Sequence, residues 1–349
     1  MIERLELSDF RNHAAAGLRP SARFTILHGP NGAGKTNILE AVSLLVPGRG
    51  LRRAALADMA RKRSGGGFAI SVEADGSQFG TAVMADTPGR RLVHINGAAA
   101  AINDLAQWFA IMWLTPAMDR LFTEGAGPRR RFLDRLVLAL DPAHAAHSSR
   151  YENALKQRNR MLAEGQKDAA WFDAIEGRLA DHGVAINAAR AEVIEQLSEE
   201  IAAMPPSPFA KPLLTLQGDT AIDPETLRAN RSRDRAASRT LLGPHRADLS
   251  VIHSEHQQPA AHCSTGEQKA LLLSLILAHS ALVKRLRRTP PILLLDEVAA
   301  HLDPDRRSAL FERLHDTGSQ VWMTGTELSL FDAAGADAMR LRVADGGLG

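Results

Sequence analysis

The chain has 349 residues, 45% of them hydrophobic, and its 42 Lys and Arg residues nearly balance 40 Asp and Glu residues. This length is enough for a large core divided between two lobes, and the composition is typical of a globular protein. Because the formal net charge is only +2, the overall charge gives no argument for nucleic-acid binding, which would need a local basic patch.

The cellular location follows from what the sequence lacks. Cys263 is the only cysteine, which excludes an intrachain disulfide and favours a reducing cytosol. The N-terminal residues lack the apolar core of a signal peptide, and no apolar run is long enough to span a membrane. We therefore expect a cytoplasmic protein with no membrane partner.

The first segment, residues 1 to 27, predicts two strands and a turn. Leu5 and Leu7 alternate with charged neighbours, a pattern typical of a half-buried strand. Arg11 follows on the predicted turn, where the residues alone favour a solvated arginine. Phe24 to Leu27 then predicts a buried strand.

Residues 28 to 37 match the phosphate-loop pattern G-x-x-x-x-G-K-[ST], with Gly29, Gly34, Lys35 and Thr36 at its fixed positions. Glycines let backbone N–H groups turn toward phosphate oxygens, Lys35 supplies a charge for the β- and γ-phosphates, and Thr36 can ligate Mg²⁺. Apolar residues at helical spacing follow, and the positive end of such a helix favours an anion. We predict a nucleotide site formed by Gly29, Pro30, Asn31, Gly32, Ala33, Gly34, Lys35, Thr36 and Asn37.

A basic, helix-compatible stretch spans residues 52 to 63, and strand-like segments follow it. The candidates for DNA contact in this stretch are Arg52, Arg53, Arg61, Lys62 and Arg63. Alternation and turn signals over residues 68 to 97 predict an antiparallel meander beside the phosphate-loop strand. Residues 108 to 114 predict a further buried strand.

Residues 128 to 204 have a helical pattern. The longest piece runs from about 168 to 204 and carries one apolar stripe, which two glycines weaken. Such a helix either projects as an arm or packs antiparallel on the helix predicted at 141 to 162, and the pattern leaves both open.

A second basic stretch, residues 223 to 240, contains the DNA-contact candidates Arg231, Arg233 and Arg235. Charge runs are usually solvated faces, and composition alone favours that explanation here. Strand-like and helical patterns at 248 to 253 and 269 to 283 then predict a return to the first lobe.

Two acids end a buried strand at residues 291 to 297. At the carboxyl edge of a central strand, Asp296 can reach a Mg²⁺ ion held by Thr36, and Glu297 can polarise the water that attacks the γ-phosphate. An apolar run followed by Asp-Glu is common by itself, but it gains weight beside a phosphate loop. The next strand is predicted at 320 to 324.

The start of the helix after Cys263 allows two explanations. Ser264 and Glu267, three residues apart, form a capping-box pattern. Capping does not explain Gly266, which is a poor helix former near a helix start. A serine and exposed N–H groups there are also what a γ-phosphate from a second subunit would require.

In this order, the phosphate loop, Ser264-x-Gly266-Glu267-Gln268, the Asp296-Glu297 strand and Ala300-His301-Leu302-Asp303 resemble the motifs of ATP-binding-cassette-type (ABC-type) ATPases. Within that class the chain resembles the RecF family of DNA-repair ATPases, which are related to the heads of structural-maintenance-of-chromosomes proteins. The more specific blocks are residues 7 to 12, 128 to 134, 157 to 159 and 243 to 248, whereas residues 205 to 240 carry no recognisable block.

The resemblance implies an α/β fold: an ABC-type ATPase head, with a mixed sheet around the phosphate-loop helix, and an inserted, mainly α-helical second lobe. The expected division is residues 1–116 and 241–349 for the head and 117–240 for the helical lobe.

The resemblance also implies roles for individual residues. It gives Arg11 and Asn12 a nucleotide role, names ATP as the ligand, assigns Mg²⁺ to Thr36 and Asp296, and assigns catalysis to Glu297, Asp296 and Lys35. It implies an ATP-induced homodimer in which Ser264, Gly266, Glu267 and Gln268 of one chain face the phosphate loop of the other, with Asp303 in the connecting D-loop. No histidine follows the strand at 320 to 324, so Thr324 and Thr326 are the candidate γ-phosphate sensors.

The implied function is ATP-dependent binding of duplex, gapped or single-stranded-junction DNA in recombinational repair, replication restart and the SOS response. The implied partners are RecR and RecO, with RecA loading as the outcome and weak, DNA-stimulated ATP hydrolysis. One alternative is the ATPase subunit of another ABC-type system, a transporter or a chromosome-maintenance ATPase; the long insertion between Thr36 and Ser264 disfavours a transporter. Another is a nucleotide-gated clamp whose turnover hardly matters.

Overall fold

A computed structural model describes residues 1–62, 64–218, 222–344 and 346–348. The strands are β1 (Ile2–Phe10), β2 (His13–Leu18), β3 (Phe24–His28), β4 (Phe68–Ala74), β5 (Ser77–Val83), β6 (Arg91–Ile95), β7 (Ala98–Ala100), β8 (Ile111–Leu114), β9 (Pro212–Gln217), β10 (Asp248–His253), β11 (Gln258–Pro259), β12 (Ile292–Asp296), β13 (Gln320–Gly325), β14 (Met339–Ala344) and β15 (Gly347–Leu348). The helices are α1 (Lys35–Ser43), α2 (Leu105–Trp108), α3 (Ala126–Leu140), α4 (Ala143–Ala163), α5 (Ala169–Ala203), α6 (Pro224–Ala229), α7 (Arg231–Ala236), α8 (Thr265–Arg287) and α9 (Pro304–Thr317).

The chain clusters into two compact units. The first unit comprises Met1–Asp119, Pro205–Phe209 and Ile276–Gly349, and the second comprises Arg120–Met204 and Ala210–Leu275. None of the helices in the described ranges combines the length and the apolar character needed to cross a lipid bilayer.

A mixed sheet in the first unit carries the predicted nucleotide-binding elements. Its strand order is β15-β14-β3-β13-β12-β8, and every pair is parallel except the antiparallel β14 and β15. Strands β3, β12 and β13 are buried along most of their length, and their residues are mostly apolar, as expected for a parallel sheet covered on both faces. Their carboxyl ends meet at one edge, the usual position of a ligand site.

A second sheet of the first unit is antiparallel, in the order β2-β1-β4-β5-β6-β7. The meander of β4, β5 and β6 therefore pairs with β1, and the prediction that it lies beside the phosphate-loop strand is wrong. The register explains the choice, because Leu5 lies opposite Val72 and Leu7 opposite Ile70. All four side chains are buried, so this pairing puts two alternating apolar rows on the same core.

The segment from residue 52 to residue 62 forms no α-helix. It contains a single 3₁₀ turn at Leu56–Met59 and runs beside the end of β1. The backbone N–H of Arg11 donates to the carbonyl oxygen of Met59 at 2.8 Å, and that of Arg61 donates to Asp9 at 2.7 Å. These contacts give the segment backbone partners at the end of β1 and in the turn that follows, and they override its helix-compatible composition.

In the second unit, the long helix packs on its neighbour. Helices α4 and α5 form an antiparallel hairpin: Nδ1 of His147 lies 3.2 Å from Nδ1 of His182, and Nε of Arg158 lies 2.9 Å from the Glu176 carboxylate. Ile175, Leu179 and Ile186 of the α5 stripe are buried in one cluster with side chains of α4. Gly183 permits the close approach of Tyr151 on α4 and of Ile222, because a Cβ there would lie 3.3 Å from Cε2 of Tyr151 and 2.8 Å from Cγ2 of Ile222.

The second unit extends further along the chain than the predicted helical lobe. Residues 241 to 275, expected in the ATPase head, cluster with the helices. Strand pairing gives the reason: β10 runs antiparallel to β9, with Val251 opposite Leu214. By contacts, this boundary therefore lies at 275/276 and not at 240/241.

A buried ion cluster inside this unit gives a stability prediction. The guanidinium of Arg158 is fully buried and contacts Glu176, Asp234 and the Thr240 hydroxyl at 2.6–2.9 Å. Arg158→Met should lower the free energy of unfolding by about 3–5 kcal/mol, because it leaves the buried Asp234 carboxylate without its cation and Glu176 with Arg231 alone.

Urea denaturation would measure this effect, with Arg160→Met as the matched control. Arg160 lies two residues after Arg158 on α4, and its side chain is 80% exposed. Its replacement should therefore change stability by no more than about 0.5 kcal/mol. Equal losses in the two variants would contradict a structural role for the cluster.

Candidate nucleotide-binding site

The loop between β3 and α1 has a backbone that only glycine fits at two positions. Gly29 and Gly34 have φ angles of 146° and 113°. A Cβ on Gly29 would lie 2.3 Å from the carbonyl oxygen of Val343, and one on Gly34 would lie 2.6–2.8 Å from the side chains of Asn12 and His13. The glycines of the motif are therefore a steric requirement of this loop as well as a means of exposing its N–H groups.

Lys35 lies beneath the loop and is only 4% exposed. Its ammonium donates to the carbonyl oxygens of Gly29 and Pro30 at 2.8 and 3.0 Å. Nearby, burial lowers the pKa of His28 below its usual value, and the positive charges of Arg342 and Lys35 lower it further. Both effects favour the neutral form of His28, so the ammonium of Lys35 is the charged group that contacts the loop carbonyls.

Three polar side chains meet where β12 and β13 end. The hydroxyls of Thr36 and Thr324 both donate to Oδ1 of Asp296, at 2.8 and 2.7 Å. The backbone N–H of Glu297 donates to the Thr324 hydroxyl at 3.0 Å, and Glu297 itself has a positive φ of 54°. Thr324 thus holds the two acids in place at the edge of the sheet.

The donor set at this edge fits a magnesium–nucleotide complex. Mg²⁺ prefers hard oxygen ligands, and it is usually held by one or two carboxylates together with phosphate oxygens. Thr36 and Asp296, already joined by a hydrogen bond, are the residues that would hold the ion. The loop glycines and Lys35 would then hold the phosphates.

Side chains from the β1–β2 turn brace the loop. Asn12 donates to the carbonyl oxygen of Ala33 at 2.9 Å and accepts from the Asn37 amide at 2.7 Å. His13, which is fully buried, places its two ring nitrogens 2.7 and 3.2 Å from the carbonyl oxygens of Gly346 and Gly34. Asn12, predicted to have a nucleotide role, thus contacts the phosphate loop directly. His13 also contacts the loop, but no sequence pattern predicted it.

Glu40 is a site residue that sequence analysis missed. This fully buried carboxylate on α1 accepts two hydrogen bonds from Arg11, at 2.6 and 2.7 Å, and one from Arg52 at 3.1 Å. Arg11 is therefore fixed against the phosphate-loop helix and is not a solvated turn residue. The Arg11 guanidinium also donates to the carbonyl oxygen of Asp58 at 2.7 Å.

The start of α8, in the second unit, forms the capping box. The Ser264 hydroxyl accepts from the backbone N–H of Glu267 at 3.3 Å, and the Glu267 carboxylate accepts from the backbone N–H of Ser264 at 2.7 Å. Hydrogen bonds from Ser264, followed by the charges of His256 and His253, hold the pKa of Glu267 below its usual value. The Gln268 side chain is buried and donates to the carbonyl oxygen of Cys263 at 2.8 Å.

Ser264, Thr265 and Gly266 are nevertheless exposed. The capping prediction is therefore confirmed, and exposure leaves the helix start open to a second ligand. Asp303 also has a local role, since its carboxylate accepts from the backbone N–H of Arg306 at 2.8 Å and caps α9. Thr326 lies exposed just after β13.

Known proteins match this chain over almost its whole length. A family model described as the RecF/RecN/SMC N terminal domain matches residues 1–346. A protein of Brucella suis biovar 1 (strain 1330) named DNA replication and repair protein RecF is 49% identical, over 99% of this chain and 95% of its own length. A protein of the same name from Mesorhizobium japonicum is 48% identical, over 100% and 97%. The chain belongs to the RecF family.

Solved structures confirm the RecF-like fold. A structure of the recombination mediator protein RecF with ATP is 21% identical, covers 100% of this chain and 96% of its own, and superposes with a TM-score of 0.85. An Smc head domain from Pyrococcus furiosus is 19% identical and covers 99% and 94%, with a TM-score of 0.55. The ABC-type ATPase head predicted from the motifs is therefore the fold of this RecF-family chain.

The candidate DNA-binding residues of this RecF-family chain fall into two groups. Four bind neighbouring groups of the protein: Arg52 binds Asn37 and Glu40, Arg61 binds Asp9, Arg231 binds Asp173 and Glu176, and Arg235 donates to the carbonyl oxygen of Gln166. Arg53, Lys62 and Arg233 are exposed. Arg63 lies outside the described residues. Arg231 is held by two acids at 2.5 Å, which favours a structural role over DNA contact.

Proposed function

We propose that this chain is an ATP-dependent DNA-binding protein of recombinational repair and replication restart. It binds gapped or duplex-junction DNA as an ATP-induced homodimer and helps to load RecA together with RecO and RecR. It hydrolyses ATP weakly, with Mg²⁺ and with stimulation by DNA, in the cytoplasm. Membership of the RecF family and the names of the relatives support the DNA replication and repair part of this proposal.

The observation that carries the ATPase part is the convergence of two hydroxyls on one carboxylate oxygen. Thr36 from the phosphate loop and Thr324 from β13 both donate to Oδ1 of Asp296. A bound Mg²⁺ would neutralise charge on the β- and γ-phosphates at this point. The RecF of known structure with the same fold was solved with ATP.

The residues of the chain would then act in sequence. The Lys35 ammonium, which donates to two loop carbonyls, would turn to the phosphate oxygens, and Thr36 and Asp296 would hold the Mg²⁺ ion. Glu297 accepts a proton from the attacking water. Thr324 positions Asp296 and Glu297, because its hydroxyl is already bonded to both. That leaves exposed Thr326 as the candidate sensor of the γ-phosphate.

The same proposal assigns Ser264, Gly266, Glu267 and Gln268 to the nucleotide of a partner subunit. The exposed hydroxyl and N–H groups at the start of α8 supply the donors that a γ-phosphate accepts. Arg11 would contribute to nucleotide contact from a position fixed by Glu40, and Asp303 would lie on the connection between the two sites. The alternative of a clamp that needs ATP binding but not turnover uses the same residues.

An affinity series on DNA tests this function. Gel shifts of gapped duplex with ATP, ADP and no nucleotide should show tight binding only with ATP. If at least about six phosphates are contacted, affinity should fall about 1,000-fold or more between about 50 and 200 mM salt and vary little with base sequence. Equal binding with and without ATP, or strong sequence preference with weak salt dependence, would contradict the proposal.

A further inference from the structure

Three metal-ligand side chains meet in the second unit, next to the start of α8. His253 ends β10, His256 lies in the following turn, and Glu267 lies in the first turn of α8; one potential ligand atom from each lies within 4.8 Å of the other two. We propose that His253, His256 and Glu267 form a binding site for a divalent transition-metal ion, with zinc the best match. This site uses neither of the residues proposed to hold magnesium, Thr36 and Asp296, and it shares Glu267 with the residues proposed to face the nucleotide of a partner subunit.

The geometry supports a metal at this position. Nε2 of His256 lies 3.3 Å from Oε1 of Glu267. Two ligands at about 2.0–2.1 Å from a tetrahedral zinc ion are about 3.3–3.5 Å apart, so this pair needs little rearrangement. The His253 and His256 rings are also close, with centroids 4.3 Å apart.

The exposure of the three side chains suits a site with an open position. His253 is only 3% exposed, whereas the side chains of His256 and Glu267 are 51% and 29% exposed. Nδ1 of His253 lies 3.4 Å from the backbone nitrogen of His256, a long hydrogen bond that would cost little to give up. Two histidines and a carboxylate leave a fourth position for water, as in many zinc sites.

Glu267 can bind a metal ion through one carboxylate oxygen while the other oxygen keeps its capping hydrogen bonds. Its Oε2 accepts from the backbone N–H and the hydroxyl of Ser264 at 2.7 and 2.8 Å, while Oε1 faces His256. A bound metal would therefore join the end of β10 to the first turn of α8 and hold Glu267 in its capping position. An ion pair between Glu267 and a protonated His256 would account for the 3.3 Å contact, but it gives no reason for His253 to lie beside it.

Zinc titration of the full-length, tag-free protein tests the site. Isothermal calorimetry should show one Zn²⁺ ion per chain for the wild type, and zinc should raise its melting temperature. His256→Ala should weaken zinc binding by more than about 100-fold, since loss of even an outer partner of a metal ligand costs about 10–100-fold. His256 is half-exposed, so the variant should keep the wild-type melting temperature without zinc.

His262→Ala is the matched control, because His262 is exposed, close in sequence and outside the cluster. It should bind zinc as the wild type does. Cobalt substitution should give the visible spectrum of a four-coordinate ion without a thiolate charge-transfer band. No stoichiometric zinc binding, an equal affinity in His256→Ala, or a thiolate band from Cys263 would each overturn the proposal.

Discussion

Glu297→Gln should leave ATP binding intact and lower the hydrolysis rate by about 100-fold or more, the usual contribution of a general base. The amide cannot accept a proton from water, but it is nearly isosteric with the carboxylate. The backbone contact from Glu297 to Thr324 does not involve the side chain, so the positions of Asp296 and Thr36 should survive. The variant should therefore accumulate as an ATP-bound dimer.

Single-turnover hydrolysis and light scattering with ATP would measure both effects. Glu327→Gln is the matched control, because Glu327 is exposed just after β13 and has no assigned role. It should hydrolyse ATP at the wild-type rate. Wild-type hydrolysis in Glu297→Gln would show that another group acts as the base.

Lys35→Ala should abolish tight ATP binding and, with it, ATP-driven dimerisation. The change removes a buried cation beside the phosphates, which costs about 3–5 kcal/mol, or more than about 100-fold in affinity. It also removes the two hydrogen bonds that hold the carbonyls of Gly29 and Pro30, so the loop loses a support. Calorimetric titration with ATP would measure the loss.

Lys167→Ala provides the comparison, since Lys167 is an exposed loop residue between α4 and α5. ATP affinity in that variant should equal that of the wild type. Dimers that still form on ATP addition to Lys35→Ala would remove Lys35 from the nucleotide site.

The sequence was sufficient for those parts of the site whose signals are local. The phosphate loop, its strand and helix, and Asp296 at the end of β12 each lie within one short pattern, and the structure brings Thr36 and Asp296 within 2.8 Å. Parallel strands explain why, because their carboxyl ends share one edge. The roles of these residues in hydrolysis stay predictions that the variants above test.

The missed features depend on contacts between distant segments. Glu40 looks like an ordinary polar residue of α1, and its burial depends on Arg11, 29 positions earlier in the chain. The sequence predicts the strands of the meander, but the alternation of apolar and polar residues does not show whether β1 or β3 is their partner. The boundary of the second unit at 275/276 was missed for the same reason. It depends on the pairing of β10 with β9, which cannot be read from the sequence of either strand alone.

We propose that each ATP is shared between the phosphate loop of one subunit and Ser264 of its partner. Ser264→Asn keeps a capping residue but adds bulk at the proposed phosphate contact, so it should stay folded, bind ATP and remain monomeric. A heterodimer of Ser264→Asn with Lys35→Ala would contain one intact site, built from the phosphate loop of the first variant and Ser264 of the second.

The most direct measurement is therefore the ATPase rate of the two variants alone and mixed, with gapped DNA present. We expect each variant alone to be inactive and the mixture to recover hydrolysis from one site per heterodimer. An inactive mixture of two folded proteins would contradict a shared site.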